Sequence, residues 1–318
     1  MADRTAAVVV AYFSAGPLAE CLEAVVSRVD QTIVVDNGSG DDTLAVAARW
    51  PRVEVIANPD NTGFAAAANL GFMAARAEFV LLLNPDAVLT TSVAPLVDAC
   101  RRPGAAGAAG LLLGNDGLPQ TGFQIRRLPD WRVLAFECLG LNRVWPGNPV
   151  NRRYRCHGFD YSRPSRIEQP AGAMWMIRRS VWQACGGFDS RFWPLWFEDV
   201  DLAARMARAG YQTWYEPESA ARHSGAHSIS RLEPGDRRVF WYGNLLKFAC
   251  GHFRPWQVRL LGGAVIAGVA VRVLLETLAG KGGRAWSGCG KVVGFAATYL
   301  LFGRAPGTAV SGGGKVSD

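Results

Sequence analysis

An unbroken apolar run, "AAVVVAYFS", begins at residue 6, and runs of the same kind return as "TIVVDNGS" from residue 32, "VEVIAN" from 53 and "FVLLLNPD" from 79. Each is too short to span a bilayer as a helix, and each is rich enough in branched side chains to be a strand covered on both faces. Between them apolar residues recur at helical spacing. "LAECLEAVVSRV" follows Pro17, which suits a first helical turn; "TLAVAARW" follows Asp41 and Asp42, either of which could cap it; and "FAAAANLGFMAARA" precedes the fourth run. This regular alternation predicts a parallel, doubly wound α/β sheet.

The fourth run stops abruptly at Asn84-Pro85-Asp86. Proline cannot donate to a ladder and pushes the residue before it into extended geometry, so pairing ends there and Asp86 is presented at the carboxyl end of the strand. Open α/β sheets bind ligands at that edge. Capping of the next turn is the alternative use for Asp86. Asp36, Asn58 and Asn61 stand at comparable strand ends. No Gly-x-Gly-x-x-Gly follows the first strand and no Gly-Lys-Ser/Thr loop occurs, so the two commonest nucleotide fingerprints are absent.

Composition changes this picture little. Of the 318 residues, 49% are hydrophobic and 19% charged, which is ordinary for a globular protein. The seven cysteines are scattered and include no Cys-x-x-Cys pair, so neither a disulfide framework nor a zinc site follows. The N-terminus lacks the long apolar stretch of a signal peptide and reads as a first strand, which places the expected site of action in a reducing, cytosolic setting.

Charge is more informative, because the net +7 is uneven. Residues 1–221 carry 21 Arg against 23 Asp and Glu, net −2, whereas residues 222–318 carry 13 Lys and Arg against four acids, net +9. A second basic stretch, 124–166, holds nine arginines against Asp130, Glu137 and Asp160. Nucleic acid, anionic lipid and phosphorylated substrates all suit such patches, as does a plain solvated face. No nucleic-acid-binding motif accompanies the arginines, so no nucleic-acid partner is expected.

Five segments in order, "VVDNGSGDDT", "NTGFAAAANLGF", "LLLNPD", "GGFDSRFWPLWFEDVDLAARMARAGY" and "PESAARHSGAHS", resemble the family 2 glycosyltransferases of GT-A fold over roughly residues 6–230. The "LNPD" form, the "HSGAHS" segment and the basic aromatic insert with "VWPGNP" are most similar to bacterial rhamnosyltransferases acting on polyprenyl-diphosphate-linked N-acetylglucosamine. The resemblance implies a catalytic domain over 1–230, with a nucleotide-sugar half (1–115) and an acceptor half (116–230). It implies an inverting transfer, with a dTDP-rhamnose donor and a Mg²⁺ or Mn²⁺ cofactor. A UDP- or GDP-sugar donor, and a non-catalytic scaffold that only binds the sugar nucleotide, are the alternatives.

By the same resemblance Asp36 meets the base or ribose of the nucleotide, with Asn61, Gly63 and Asn84 beside the donor; an Asx-turn in "DNGS" is the other use of Asp36. Where the family carries Asp-x-Asp this chain has Asn84-Pro85-Asp86, so only Asp86 can hold the cation directly. His223 would complete the metal shell, against the alternative of a loop histidine satisfied by backbone, and His227 with Ser228 would meet diphosphate. Asp199 becomes the general base that deprotonates the acceptor hydroxyl. Residues two apart on a helix face opposite ways, so Asp199 and Asp201 cannot do the same work; the resemblance leaves Asp201 structural, and helical spacing lets it pair with Arg205. Gly172, Ala173, Trp196 and Glu198 would line the acceptor side.

Beyond residue 230 basic and aromatic residues interleave with apolar helix. The longest charge-free stretches, 260–271 and 292–303, fall short of the ~20 residues a spanning helix needs. The expectation is a helical extension over 231–305 lying on an anionic membrane surface, with Trp241, Tyr242, Phe253 and Trp256 at headgroup depth and Lys247, Arg254 and Arg259 touching lipid. Packing on the catalytic domain or forming a homodimer are the other uses of such helices. Residues 306–318 read as a disordered tail.

Overall fold

The four N-terminal apolar runs form strands in the computed structural model, which describes residues 4–225, 232–280, 286 and 288–304. β1 (Thr5–Ala11), β2 (Gln31–Asn37), β3 (Val53–Asn58) and β4 (Phe79–Leu83) alternate with helices α1 (Ala15–Val25), α2 (Thr43–Ala47) and α3 (Phe64–Ala74). β1 and β4 are buried at every residue, as their unalternating sequences require. After β5 (Ala87–Leu89), α4 (Ala94–Arg101) and β6 (Ala105–Leu113) come six short elements: β7 (Ile125–Arg126), α5 (Trp131–Cys138), α6 (Leu141–Val144), α7 (Pro149–Tyr154), β8 (Ser165–Ile167) and β9 (Gln169–Pro170). β10 (Met174–Arg178), α8 (Arg179–Ala184), α9 (Glu198–Arg208) and β11 (Gln212–His223) then lead into α10 (Pro234–His252), α11 (Pro255–Leu278) and α12 (Cys289–Phe302).

The main sheet runs β3-β2-β1-β4-β10-β6-β11-β5, with β8 on β11. β1 to β4 are parallel, and chain order reverses between β1 and β4, the kind of switch point where a crevice opens at the strand ends. β10 enters antiparallel to both β4 and β6. The residues just before β10 therefore lie beside the carboxyl end of β4. One face of the sheet buries Val9, Leu81, Leu83 and Met176 with α1 and α4, and the other buries Val8, Leu82 and Trp175 with Phe72 and Phe188.

The chain divides into two compact units, Met1–Pro129 with Pro146–Glu233 and Asp130–Trp145 with Pro234–Asp318. The sequence reading left 130–145 in the acceptor half, yet this segment packs with the C-terminal helices. The Asp130 side chain caps α5 by accepting the Val133 N–H at 2.9 Å. The Cys138 carbonyl at the end of α5 fits against Gly268 of α11, where any Cβ would overlap it. Gly262 likewise admits the α12 backbone at Leu300, whose nitrogen would lie 2.7 Å from an added Cβ.

α11 is 24 residues long and holds an 18-residue window of mean hydropathy 2.0, long and apolar enough to cross a membrane by length and composition. Counting charge-free residues missed this, because Arg259 and Arg272 interrupt the count without interrupting the helix. Tyr242 is 6% exposed and cannot sit among lipid headgroups, whereas Trp256, Lys247, Arg254 and Arg259 are exposed.

Candidate active site

The carboxyl end of β4 is where the chemistry gathers. β11 pairs antiparallel with β5 in a register that sets His223 opposite Ala87, so the histidine arrives next to Asp86. Its Nε2 lies 3.4 Å from Asp86 Oδ1 and 3.3 Å from Asn84 Nδ2. The ring stacks on Phe123 at 5.5 Å, and its Nδ1 lies 2.9 Å from Gln120 Oε1. Asp86 and His223 are both buried. Burial pushes the Asp86 carboxyl up, but the hydrogen bond and charge of His223, with backbone N–H groups of Asp86 and Gly225, outweigh it and hold the group below the ordinary carboxylate range. Asp86 is thus an ionised carboxylate facing an imidazole.

That donor set fits a hard divalent cation. A carboxylate oxygen and a ring nitrogen of two buried side chains face one another across 3.4 Å, and two acceptors so placed need a proton or a cation between them. Among the described residues no three His, Cys, Asp or Glu side chains form a cluster that could hold a metal. The remaining positions would fall to substrate phosphates and water, which is how Mg²⁺ is commonly held.

Asp199 reaches the same edge from the other side. Asn84 N–H donates to the Ala173 carbonyl at 3.0 Å, and the adjacent Gly172 N–H donates to Asp199 Oδ2 at 3.2 Å. Asp199 Oδ1 accepts the Val200 N–H at 2.8 Å. Burial raises the Asp199 pKa; the Val200 N–H, the Arg126 guanidinium and the Gly172 N–H pull it only part of the way back. Glu198, more buried than Asp199, is pushed well above the ordinary range by burial and then by the charge of Asp199, and its Oε2 has no hydrogen-bond partner. Both carboxyls are thus raised, Glu198 the further of the two, so that of the pair Asp199 gives up its proton the more readily. Just before α9, Trp196 and Phe197 both take left-handed conformations, φ 77° and 75°. Two consecutive bulky residues there are strained, the sort of backbone found where a side chain must be aimed.

Asp201 faces away and pairs with Arg205 at 2.7 Å, while Arg205 Nη2 donates to the Gly187 carbonyl at 2.8 Å. This clamp ties α9 to the Gly186–Gly187 turn, both in positive φ.

On the donor side, Asp36 is the last residue but one of β2 and is 1% exposed. Its Oδ2 accepts the Ser39 N–H at 3.2 Å, which is the turn expected of "DNGS", yet its Oδ1 is buried with no partner. Asn61 Oδ1 accepts from Asn37 Nδ2 at 3.0 Å and from the Gly63 N–H at 2.9 Å, so its side chain orders the loop. Gly63 has φ 88°, and a Cβ there would lie 2.8 Å from the Trp193 ring. The Phe64 N–H donates to the Pro194 carbonyl at 2.7 Å, so the loop before α9 sits on the start of α3.

Not every expected residue lies open to substrate. Ala173 is buried in the core with its carbonyl taken by Asn84. Gly172 contributes its N–H to Asp199, and a Cβ there would make only ordinary contacts. His227, Ser228 and the tail beyond residue 305 lie outside the described residues. Sequence reasoning missed Gln120 and Arg126, because neither belongs to a motif or a periodic segment.

Comparison with known proteins gives the family and the fold. The family model for glycosyl transferase family 2 matches residues 6–184. The chain belongs to that family. N-acetylglucosaminyl-diphospho-decaprenol L-rhamnosyltransferase of Mycobacterium tuberculosis is 33% identical over 243 residues, which span 70% of this glycosyltransferase and 77% of the relative. The O-antigen chain rhamnosyltransferase WbaN of Salmonella anatum is 24% identical over 253 residues, 75% of this chain and 68% of the relative. Among solved structures, the mannosyltransferase PcManGT from Pyrobaculum calidifontis, in complex with GDP-Man and Mn²⁺, superposes with a TM-score of 0.52 at 17% identity over 94% of this chain and 87% of its own. GalNAc-T7 with UDP, GalNAc and Mn²⁺ gives 0.51 at 14% identity, over 77% of this chain and 51% of its own. The fold of this glycosyltransferase is GT-A.

Proposed function

We propose that this glycosyltransferase is inverting and metal-dependent, and moves L-rhamnose from dTDP-rhamnose onto a polyprenyl-diphosphate-linked saccharide in cell-envelope polysaccharide synthesis. The observation that carries the reading is the link from Asp86 through Asn84, Ala173 and Gly172 to Asp199, which joins an anion-handling site to a base along one strand edge. The rhamnosyl donor and lipid-linked acceptor are supported by the Mycobacterium relative at 33% identity.

In this reading the unpartnered Asp36 Oδ1, which can only accept, takes the ring N–H of the pyrimidine. Asp86 and His223 hold a Mg²⁺ or Mn²⁺ ion, which when bound neutralises charge growing on the departing diphosphate. Asp199 accepts the acceptor's hydroxyl proton while the oxygen bonds to the anomeric carbon and the bond to diphosphate breaks, its electron pair leaving with the diphosphate. Attack opposite the leaving group inverts the configuration. Glu198, kept neutral, leaves the negative charge on Asp199.

The acceptor's lipid stays in a bilayer, so the second unit is assigned to the membrane. Leu274, Leu275 and Leu278 of α11 are 58%, 59% and 76% exposed, and Leu301 and Phe302 end α12 in solvent. Exposed apolar side chains with Lys247, Arg254 and Arg259 suit an anionic cytoplasmic leaflet.

A thermal-shift panel of nucleotide sugars with and without Mn²⁺ tests the donor site. dTDP-rhamnose with Mn²⁺ should raise Tm most, and Asp86→Asn should lose the Mn²⁺ increment. A larger shift with a UDP- or GDP-sugar reassigns the donor, and an Mn²⁺-independent shift removes the metal from the reading.

A further inference from the structure

Gln120 holds His223 by two hydrogen bonds that together fix which ring nitrogen is free. Its Nε2 donates to the His223 backbone carbonyl at 2.8 Å, and its Oε1 lies 2.9 Å from His223 Nδ1. A carbonyl oxygen can only accept, so the amide nitrogen must face it and the amide oxygen must face the ring. The amide oxygen can only accept too, so Nδ1 must carry a proton. In the neutral ring the lone pair is then left to Nε2, the atom 3.4 Å from Asp86 Oδ1 and within reach of the Asn84 amide nitrogen. Phe123, stacked on the ring at 12° between planes, keeps it from turning.

We propose that Gln120 is a positioning residue that locks His223 with its proton on Nδ1, so that Nε2 presents a lone pair to a divalent cation shared with Asp86. The lock rests on the metal reading for its purpose, though not for its geometry. Free imidazole side chains carry both tautomers, and a ligand histidine commonly has its other nitrogen fixed by a hydrogen-bond acceptor. In many sites that acceptor is a carboxylate or a backbone carbonyl. Here it is a side-chain amide from the loop after β6, about a hundred residues earlier in the chain, whose own orientation is set by the backbone of the residue it holds.

The test uses full-length protein labelled with ¹⁵N-histidine, of which the chain has four. At alkaline pH, where imidazole is neutral, ¹⁵N NMR should show His223 protonated at Nδ1. Adding Mg²⁺ with a nucleoside diphosphate should perturb Nε2. Gln120→Met should release the tautomer and weaken Mn²⁺ binding, measured by electron paramagnetic resonance with the same nucleotide, by roughly 10- to 100-fold. Gln120→Glu loses the bond to the His223 carbonyl as the Met variant does, but keeps an acceptor for Nδ1–H. It should retain both the tautomer and the affinity, whereas a residue that merely braced the loop would fail equally in both variants. An Nε2-protonated His223 in the unsubstituted protein, or equal loss in the two variants, overturns the lock. An Nδ1-protonated ring that Mg²⁺ leaves untouched upholds the lock and overturns the metal reading instead.

Discussion

The Gly172 N–H donates to Asp199 Oδ2 at 3.2 Å, so the chain entering β10 aims a carboxylate that stands 27 residues further on, in the first turn of α9. The same turn holds Asp201 against Arg205. Two aspartates two positions apart are thereby given different work, one to face the crevice and one to anchor the helix.

Substitution should separate those tasks. Asp199→Asn is expected to lower kcat by about 10² to 10⁴ while donor binding stays unchanged. Asp201→Asn leaves the Arg205 guanidinium without its carboxylate and should cost on the order of 3 kcal/mol of stability, with kcat/KM near the original value once folded. Steady-state kinetics and thermal melts on both variants check this, and a reversed pattern would exchange the two roles.

Glu198 should behave as a neutral group. Unfolded, it ionises near the ordinary carboxylate value, whereas burial and the Asp199 charge make the folded form keep its proton to higher pH. The fold is then stabilised fully only in acid and loses stability as pH rises toward the folded pKa. Glu198→Gln removes that loss, so it should melt higher than the original protein at neutral pH and equal to it below about pH 4, with turnover reduced less than roughly tenfold. A melting temperature that falls at neutral pH would mean that Glu198 is ionised and paired.

Arg126 lowers the pKa of Asp199 by its charge. In the proposed mechanism Asp199 must be ionised to act, so activity should fall as pH drops through its pKa. Arg126→Met should move that acid limb to higher pH without changing the alkaline limb. Unmoved limbs in the kcat/KM profile would detach Arg126 from the base.

The proposed membrane attachment should depend on the exposed face of α11. Replacing Leu274 and Leu278 together with Glu alters two side chains that are 58% and 76% exposed, so the melting temperature should be unchanged. Sedimentation with anionic vesicles should be lost. Equal sedimentation of the double variant would place attachment elsewhere. Deleting the tail is the poorer test, because α5 packs on α11 and would be stripped of its cover.

Where periodicity was strong, the sequence was enough. β1 to β4 and the helices between them follow from apolar runs and helical spacing, and Asp36 and Asp86 stand at strand ends because proline and turn residues stop the pairing there. Asp201 with Arg205 was legible from helix geometry alone. What escaped lies between residues 112 and 172, where short elements carry no repeat long enough to read. Gln120 meets His223 and Gly172 meets Asp199 only through the register of β10 and β11, which long-range pairing decides. Tyr242 looked like an interfacial aromatic, yet it is buried within a unit that takes in α5, a partner the sequence gives no reason to expect.

The central claim is the reaction itself, and product mass tests it most directly. The protein would be incubated with Mg²⁺, a panel of dTDP-, UDP- and GDP-sugars and a polyprenyl-diphosphate-linked N-acetylglucosamine, and the lipid fraction weighed by mass spectrometry. The account predicts one deoxyhexose added from dTDP-rhamnose, absent with Asp199→Asn. Addition of a hexose from another donor would contradict the donor assignment, and unchanged lipid with every donor would contradict the proposed reaction.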